Sequence, residues 1–302
     1  MICACGRMIT PEPTFVEKVW NATSYATCVY RCECGRGYSN ASTPAARTCI
    51  TDTPQRNVPT AVTEGLEDVL AAALNVRNRR SKREKFCFSS SEDAVTWTIF
   101  SWLDVTAALS IVPTSAGLSD PGGDGDILFW GVPARRGGRR ADALHSELIV
   151  VSDERCEDPN RRSEPDVVIS WPGLLVFVEV KYRARNDFQP GYVNFAHYTD
   201  RADLFAVSPS EVAQHGYYEL VRNWRLGVGL AERLAVPFAL INLGPERLAS
   251  RTPDLATSFR LNPNRQFASL SWGALLDAAS SLDRPTWIDD FIRERQLDSR
   301  WS

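Results

Sequence analysis

The chain of 302 residues is 44% hydrophobic, 24% charged and 10% aromatic, with a formal net charge of −3. That is enough apolar matter for a sizeable core, on the scale of two ordinary domains or one large one, and it excludes a disordered or collagen-like chain. No stretch approaches the ~20 apolar residues of a membrane-spanning helix, and an acidic total argues against coating nucleic acid by charge alone. The opening MICACGRMIT lacks a basic region leading into an apolar run, so the expectation is a cytoplasmic protein. Its eight cysteines are then thiols or metal ligands rather than disulfides.

Six of those cysteines fall in the first fifty residues: Cys3, Cys5, Cys28, Cys32, Cys34 and Cys49. Cys3-Ala4-Cys5-Gly6 and Cys32-Glu33-Cys34-Gly35 repeat one pattern. Two such knuckles offer four thiolates to a tetrahedral Zn²⁺, although paired cysteines are usually separated by two to four residues rather than one. Cys28 is an alternative ligand, and reduced cysteines without metal are the plainer reading. Residues 51–61 (TDTPQRNVPTA) read as a linker. From Val62 a helix is expected, with Leu66, Val69, Leu70, Ala73 and Leu74 at helical spacing. It runs into Arg77, Arg79, Arg80, Lys82, Arg83 and Lys85, which either grip a DNA backbone or form a solvated face. A second helix is expected after Ser91, with Glu92 and Asp93 suiting its positive end and Val95, Ile99, Trp102 and Leu103 its buried stripe.

Residues 114–125 read as a loop, 127–132 (ILFWGV) as a strand, 134–140 as a basic turn with Arg135, Arg136, Arg139 and Arg140, and 147–152 (ELIVVS) as a further strand. Ser210 to about Leu234 is helical by pattern and 236–243 a strand. The last 35 residues suggest a short strand and two helices. Strands and helices alternate after residue 60, which points to an α/β layered domain.

The most informative segment is 166–181, DVVISWPGLLVFVEVK. Pro172-Gly173 is a turn dipeptide between two strand-like runs. Taken as a two-residue loop, it pairs Trp171 with Leu174, Val168 with Phe177 and Asp166 with Glu179. Lys181 then shares a face with Glu179. Two facing carboxylates repel, and burial worsens this. A divalent cation such as Mg²⁺ resolves the conflict, activates water and accepts phosphate, while a lysine nearby orients that water. The competing reading is a solvated edge in which Glu179 merely pairs with Lys181. Against it, LLVFVEVKY is otherwise apolar on both faces, where charge is costly. Lysine is scarce: Lys18, Lys82 and Lys85 lie in polar, exposed-looking contexts and only Lys181 in an apolar run. His145, His197 and His215 lack metal-motif spacing, and no phosphate-binding G-x-x-x-x-G-K-[ST] loop is present.

Glu164-Pro165-Asp166, twelve intervening residues and Glu179-Val180-Lys181 resemble the PD-(D/E)XK nuclease superfamily, whose fold is restriction-endonuclease-like. The wider set Ser91-Glu92-Asp93-Ala94-Val95-Thr96-Trp97 and Tyr218-Glu219-Leu220-Val221-Arg222-Asn223-Trp224 is similar to a little-characterised bacterial branch of restriction-type endonucleases, over roughly residues 60–270. The resemblance implies a mixed central sheet flanked by helices over residues 56–302, after a Cys-rich segment over 1–55. It also implies a DNA nuclease using Mg²⁺ or Mn²⁺. Asp166 and Glu179 would hold the metal, the carbonyl of Val180 would add a ligand and Lys181 would serve the attacking water. Glu92 fits an additional acid from the preceding helix, with Asp93 as its competitor. Gln214 and Tyr218 match the spacing of a Q-x-x-x-Y element in some members. Arg222, one turn beyond, either binds phosphate or pairs with Glu219. A homodimer, and a methyltransferase or other defence-system protein, are the partners such an enzyme would have besides DNA; no residue marks an interface. A non-catalytic DNA-binding protein and a nuclease for RNA or branched DNA are the rival readings.

Overall fold

The computed structural model describes residues 1–11, 22–39, 48–134, 139–183, 195–249 and 253–297. A small antiparallel sheet near the N-terminus holds β1 (Tyr30–Arg31), β2 (Arg36–Tyr38) and β3 (Cys49–Thr51) in that order. The helices that follow are α1 (Leu66–Ala72), α2 (Arg79–Phe86), α3 (Glu92–Val105) and α4 (Ile111–Ser115). Then come β4 (Asp126–Phe129), β5 (Val132–Pro133), α5 (Arg139–Glu154), β6 (Val167–Trp171) and β7 (Leu174–Val180). After these lie α6 (Phe195–Tyr198), α7 (Pro209–His215), α8 (Tyr218–Leu234) and β8 (Phe238–Gly244). The chain continues through α9 (Glu246–Ala249), α10 (Pro253–Ala256), β9 (Arg265–Ser271), α11 (Trp272–Ala278) and α12 (Thr286–Arg295).

The main sheet has six strands in the order β5-β4-β6-β7-β8-β9. It is mixed: β5-β4-β6-β7 is antiparallel, and β7-β8-β9 is parallel. Parallel neighbours need a crossover, and α6 to α8 supply the one between β7 and β8. Side-chain alternation splits the core in two. Val167, Ile169, Val176, Val178 and Ile241 face α1, α3, α11 and α12, whereas Val168, Leu175, Phe177 and Leu240 face α5 and α8. Both faces are covered, which is why β6 and β7 read as nearly continuous apolar runs. Among the described residues no helix is long and apolar enough to cross a membrane.

The hairpin register is the expected one, with Val168 opposite Phe177 and Trp171 opposite Leu174. Ser91 caps α3 by accepting from the Ala94 amide at 3.2 Å. Other expectations need correction. Residues 147–152 are not a strand but the middle of α5. Ala141, Leu144, Leu148 and Val151 are its buried stripe, and this helical spacing outweighs the local β-branched run. The single strand expected over 127–132 is a hairpin, because Trp130 (φ 50°) and Gly131 (φ 79°) turn the chain in the left-handed manner of a type I′ loop. The helix expected from Ser210 is two helices, broken where Gly216 (φ 78°) and Tyr217 (φ 49°) reverse the backbone. Residues 51–61 are no open linker. Short 3₁₀ turns bury Pro54, Asn57 and Val62, and the Asn57 amide donates to Phe86 O at 2.6 Å and Phe88 O at 2.8 Å. Asn57 thereby serves backbone carbonyls rather than water.

Close packing of α8 on the sheet depends on Gly227, where an added Cβ would collide with the Phe238 ring. That ring cannot retreat: it is 1% exposed and lies against Phe177 (5.5 Å) and Trp224 (5.6 Å). Alanine gains roughly 1 kcal/mol of helix propensity over glycine, but overpacking costs typically 1–3 kcal/mol and a covered backbone contact sits at the high end. Gly227→Ala is therefore expected to lower the urea midpoint with an unchanged m-value; an unchanged or raised midpoint would refute this packing.

Candidate active site

The hairpin end gathers the three groups that the sequence placed there. Asp166 precedes β6, and its Oδ2 accepts from the Val180 amide of β7 at 2.8 Å. Glu179 points to the α8 side of the sheet, 2% exposed, and Asn223 of α8 donates to its Oε2 at 2.7 Å. Lys181 follows the strand and is 6% exposed. Its amide donates to Leu243 O (2.7 Å) and its carbonyl accepts from Trp272 Nε1 (3.0 Å), so its backbone is pinned from both sides. Its ammonium meets Glu179 Oε1 (2.5 Å), Glu219 Oε2 (2.9 Å) and Glu92 Oε1 (3.6 Å). Glu92, at the start of α3, also accepts from the Tyr182 amide at 2.7 Å, and Tyr182 in turn donates from its hydroxyl to Arg295 O at 2.6 Å. These groups sit at the carboxyl end of the parallel strand β7, on a polar cleft of about 630 Å³.

Of the two acids weighed at the start of α3, Glu92 reaches Lys181, while Asp93 pairs with Lys82 at 3.5 Å. Tyr218 and Arg222 line the cleft, with the guanidinium 5.9 Å from the Tyr218 ring centre. Gln214 does not join them: it is exposed on α7, and the break at Gly216-Tyr217 takes it off the stripe that carries Tyr218. Sequence reasoning gave Glu219 no role beyond that of a partner for Arg222, and gave Asn223 none. Their spacing of four on α8, and a buried Asn223 between Arg222 and Trp224, were the available signals. Lys82 was taken as exposed, yet its side chain is 13% exposed, 3.3 Å from Glu164 and 4.7 Å from the Trp130 ring centre. The basic stretch around it is largely occupied with the protein itself: Arg79 donates to Ala73 O, Arg80 pairs with Glu84 and Arg83 with Glu67. Arg77 and Lys85 remain exposed. In the second basic run Arg140 pairs with Asp126 at 3.0 Å, while Arg135 and Arg136 lie outside the described residues, as does the side chain of Arg139.

The cleft is thus lined by seven acids, among them Asp166, Glu179, Glu92 and Glu219, against five cations, among them Lys181, Arg222 and Lys82. Burial, reinforced by the neighbouring acids and opposed by Lys181, pushes Asp166 and Glu92 up to about 7 and Glu179 up to about 8. Burial alone would lower Lys181, but the acids around it hold it well above its usual value. Glu219 is the exception: Lys181 and Arg222 outweigh its burial and keep it below the usual glutamate range. The donor set is therefore hard oxygen with surplus negative charge, which suits Mg²⁺ or Mn²⁺. Each Glu179 oxygen already accepts from one donor, Lys181 or Asn223, so a cation there would share these oxygens with them.

Among the described residues, one set of three or more candidate ligand side chains has all its ligand atoms within 4.8 Å of one another: Cys3, Cys5, Cys32 and Cys34. The acids around Lys181 are not such a set. Cys28 is not part of the cysteine cluster; it is buried and donates to Ser24 O. No family model matches the chain, and neither does any curated protein or solved structure.

The raised acids set a pH dependence. Unfolded carboxylates titrate near ~4, so between there and about 8 the folded cleft binds protons that the unfolded chain has released. The contribution of these groups to stability is thus greatest at the acid end and is lost as pH rises through about 7 to 8. Without divalent metal, the melting temperature should fall over this window. Mg²⁺ should restore it increasingly toward high pH, and Asp166→Asn should flatten the slope. A pH-independent melting temperature in the metal-free protein would contradict the charge surplus.

Proposed function

We propose that the chain is a metal-dependent DNA endonuclease of restriction type, on a restriction-endonuclease-like fold, hydrolysing phosphodiester bonds with Mg²⁺ or Mn²⁺ at the acids; Zn²⁺ belongs to the cysteines. The observation that carries this reading is the convergence of Asp166, Glu179 and Lys181 on one face at a strand end, with more buried carboxylate than cation beside them. Asp166 and Glu179 would hold the metal, with Glu92 and the Val180 carbonyl completing its protein ligands. A divalent cation there supplies positive charge to the phosphate and makes water a better nucleophile near neutral pH. Lys181, pinned by Leu243 and Trp272, presents a fixed ammonium that orients the attacking water and opposes charge building on phosphorus. Arg222 and Tyr218 on the cleft wall suit a phosphate and its sugar. Asn223 keeps the Glu179 carboxylate from rotating. Cutting both strands would call for a homodimer, and protection of host DNA for a methyltransferase or other defence-system partner.

Supercoiled plasmid incubated with the protein and Mg²⁺ should be nicked or linearised. Lys181→Ala should slow cleavage by roughly 10²-fold or more, the usual scale for a positioned proton-transfer group, and Asp166→Ala should abolish it. Equal cleavage by all three proteins, or none with either metal, would reject the proposal. DNA binding without cleavage, unaltered by Asp166→Ala, would identify a DNA-binding protein instead. Cleavage confined to RNA or branched DNA would reject the duplex-DNA substrate.

A further inference from the structure

The first and second cysteine pairs are copies of one turn. In each, the first cysteine amide donates to the carbonyl of the arginine four residues on: Cys3 to Arg7 at 2.8 Å and Cys32 to Arg36 at 2.9 Å. In each, the glycine amide donates back to the first cysteine carbonyl, Gly6 to Cys3 at 2.8 Å and Gly35 to Cys32 at 2.9 Å. Both glycines are left-handed, at φ 84° and 81°. The repeated unit is therefore Cys-x-Cys-Gly-Arg, folded identically from segments that are distant in the chain. The two turns face each other so that Cys3 Sγ lies 3.6 Å from Cys34 Sγ and Cys5 Sγ 3.5 Å from Cys32 Sγ.

We infer that Cys3, Cys5, Cys32 and Cys34 form a tetrathiolate Zn²⁺ site that fastens the first eleven residues to the β1–β2 hairpin. A tetrahedron with Zn–S bonds of about 2.3 Å has sulfur–sulfur edges of about 3.8 Å, close to the separations here. A disulfide needs about 2.05 Å, far shorter than either contact. Little else could hold this region: its apolar cluster has only Cys3, Ile9 and Cys32 buried, two of them ligands. The backbone-to-backbone bonds among residues 1–9 close on the segment itself, as from Cys3 N to Arg7 O at 2.8 Å and from the Met1 ammonium to Ile9 O at 2.9 Å. Links to the hairpin include Ala4 N to Tyr38 Oη at 3.1 Å and an exposed Arg7–Glu33 pair, a contact type of little worth. On binding, each thiol releases its proton to solvent as its sulfur ligates, four per ion, and the bonds formed supply the folding energy that the small core lacks. The second turn passes this order inward, since Gly35 O accepts from Asp52 N at 2.9 Å and Cys34 O accepts from Arg56.

The full chain, purified without chelator, should carry about one zinc per molecule by elemental analysis. Cys5→Ser and Cys34→Ser should lose it; Cys28→Ser and Cys49→Ser should keep it. Asp166→Ala should also keep it, which separates this site from the acidic cleft. Because a ligand variant can misfold, the unaltered chain provides a second measurement. Stepwise mercurial titration should release the zinc as four thiols react, and reconstitution with Co²⁺ should give the strong visible absorption of a tetrahedral thiolate site. Zinc retained by both ligand variants would overturn the inference. So would metal-free protein whose thiols all react at once, a mass reduced by hydrogen pairs from disulfides, or iron in place of zinc.

Discussion

Burying Lys181 beside more carboxylates than it can neutralise is the constraint on which the rest of the structure depends. A lysine 6% exposed is stable only among acids, and those acids in turn are tolerable only beside a cation. The fold meets this by drawing one acid from each of four places: Asp166 before β6, Glu179 in β7, Glu92 at the start of α3 and Glu219 in the first turn of α8. Each carboxylate is also held by a fixed donor or the ammonium itself. The Val180 and Tyr182 amides and the Asn223 side chain remove the freedom that would let the cluster relax toward solvent. What remains is more carboxylate than ammonium in a low-dielectric setting, which holds Asp166, Glu92 and Glu179 well above the usual carboxylate range.

This centre was legible in the sequence because two local rules agree. Pro172-Gly173 marks the turn, and once a two-residue loop is assumed the period of two puts Asp166, Glu179 and Lys181 on one face, a register the Val168–Phe177 and Trp171–Leu174 pairs bear out. The α8 contribution was only half legible. Gln214 and Tyr218 came together from the resemblance to a Q-x-x-x-Y element and Arg222 from helical spacing, but Gln214 joins the others only if the helix is unbroken. Two adjacent residues with positive φ break it, and Tyr217 carries no glycine-like signal for such a turn. The α5 segment failed for the opposite reason. A short β-branched run was read locally, whereas the buried stripe begins at Ala141 and Leu144, before the run, and the helix continues to Glu154 after it. Lys82 was misjudged because its partners Asp93 and Glu164 are 11 and 82 residues away, and pairing at that distance leaves no periodic trace.

The N-terminal region shows that composition can mislead about connection. Residues 51–61 look like a spacer, yet they join the cysteine cluster to the cleft. Ile50 bridges to Phe88, Ser89 N donates to Cys49 O, and Arg295 donates to Asn57 Oδ1 at 2.7 Å and Asn57 O at 3.0 Å. Arg295 belongs to α12, and its own carbonyl receives the Tyr182 hydroxyl. Tyr182 is the residue after Lys181, and its amide holds Glu92.

Hydrogen bonds joined by peptide links therefore run from the second cysteine turn, through Arg56, its neighbour Asn57, Arg295 and Tyr182, to Glu92 and to Lys181, which precedes Tyr182 in the chain. Such continuity supplies a path for order but not by itself a switch, which would need a second arrangement of some element along it. Its physical content here is static. Soft thiolates and hard carboxylates favour different ions, so an ion suited to one cluster is poorly suited to the other. The first would fasten the chain end against which Arg56 and Asn57 are set. The second relies on Tyr182 staying where Arg295 puts it. Both centres thus lean on one buried residue that belongs to neither: Arg295, 3% exposed, holds Asn57 and Ser89 O through its guanidinium and the Tyr182 hydroxyl through its backbone carbonyl, so truncating its side chain would free the first two and leave the acceptor of the third in place.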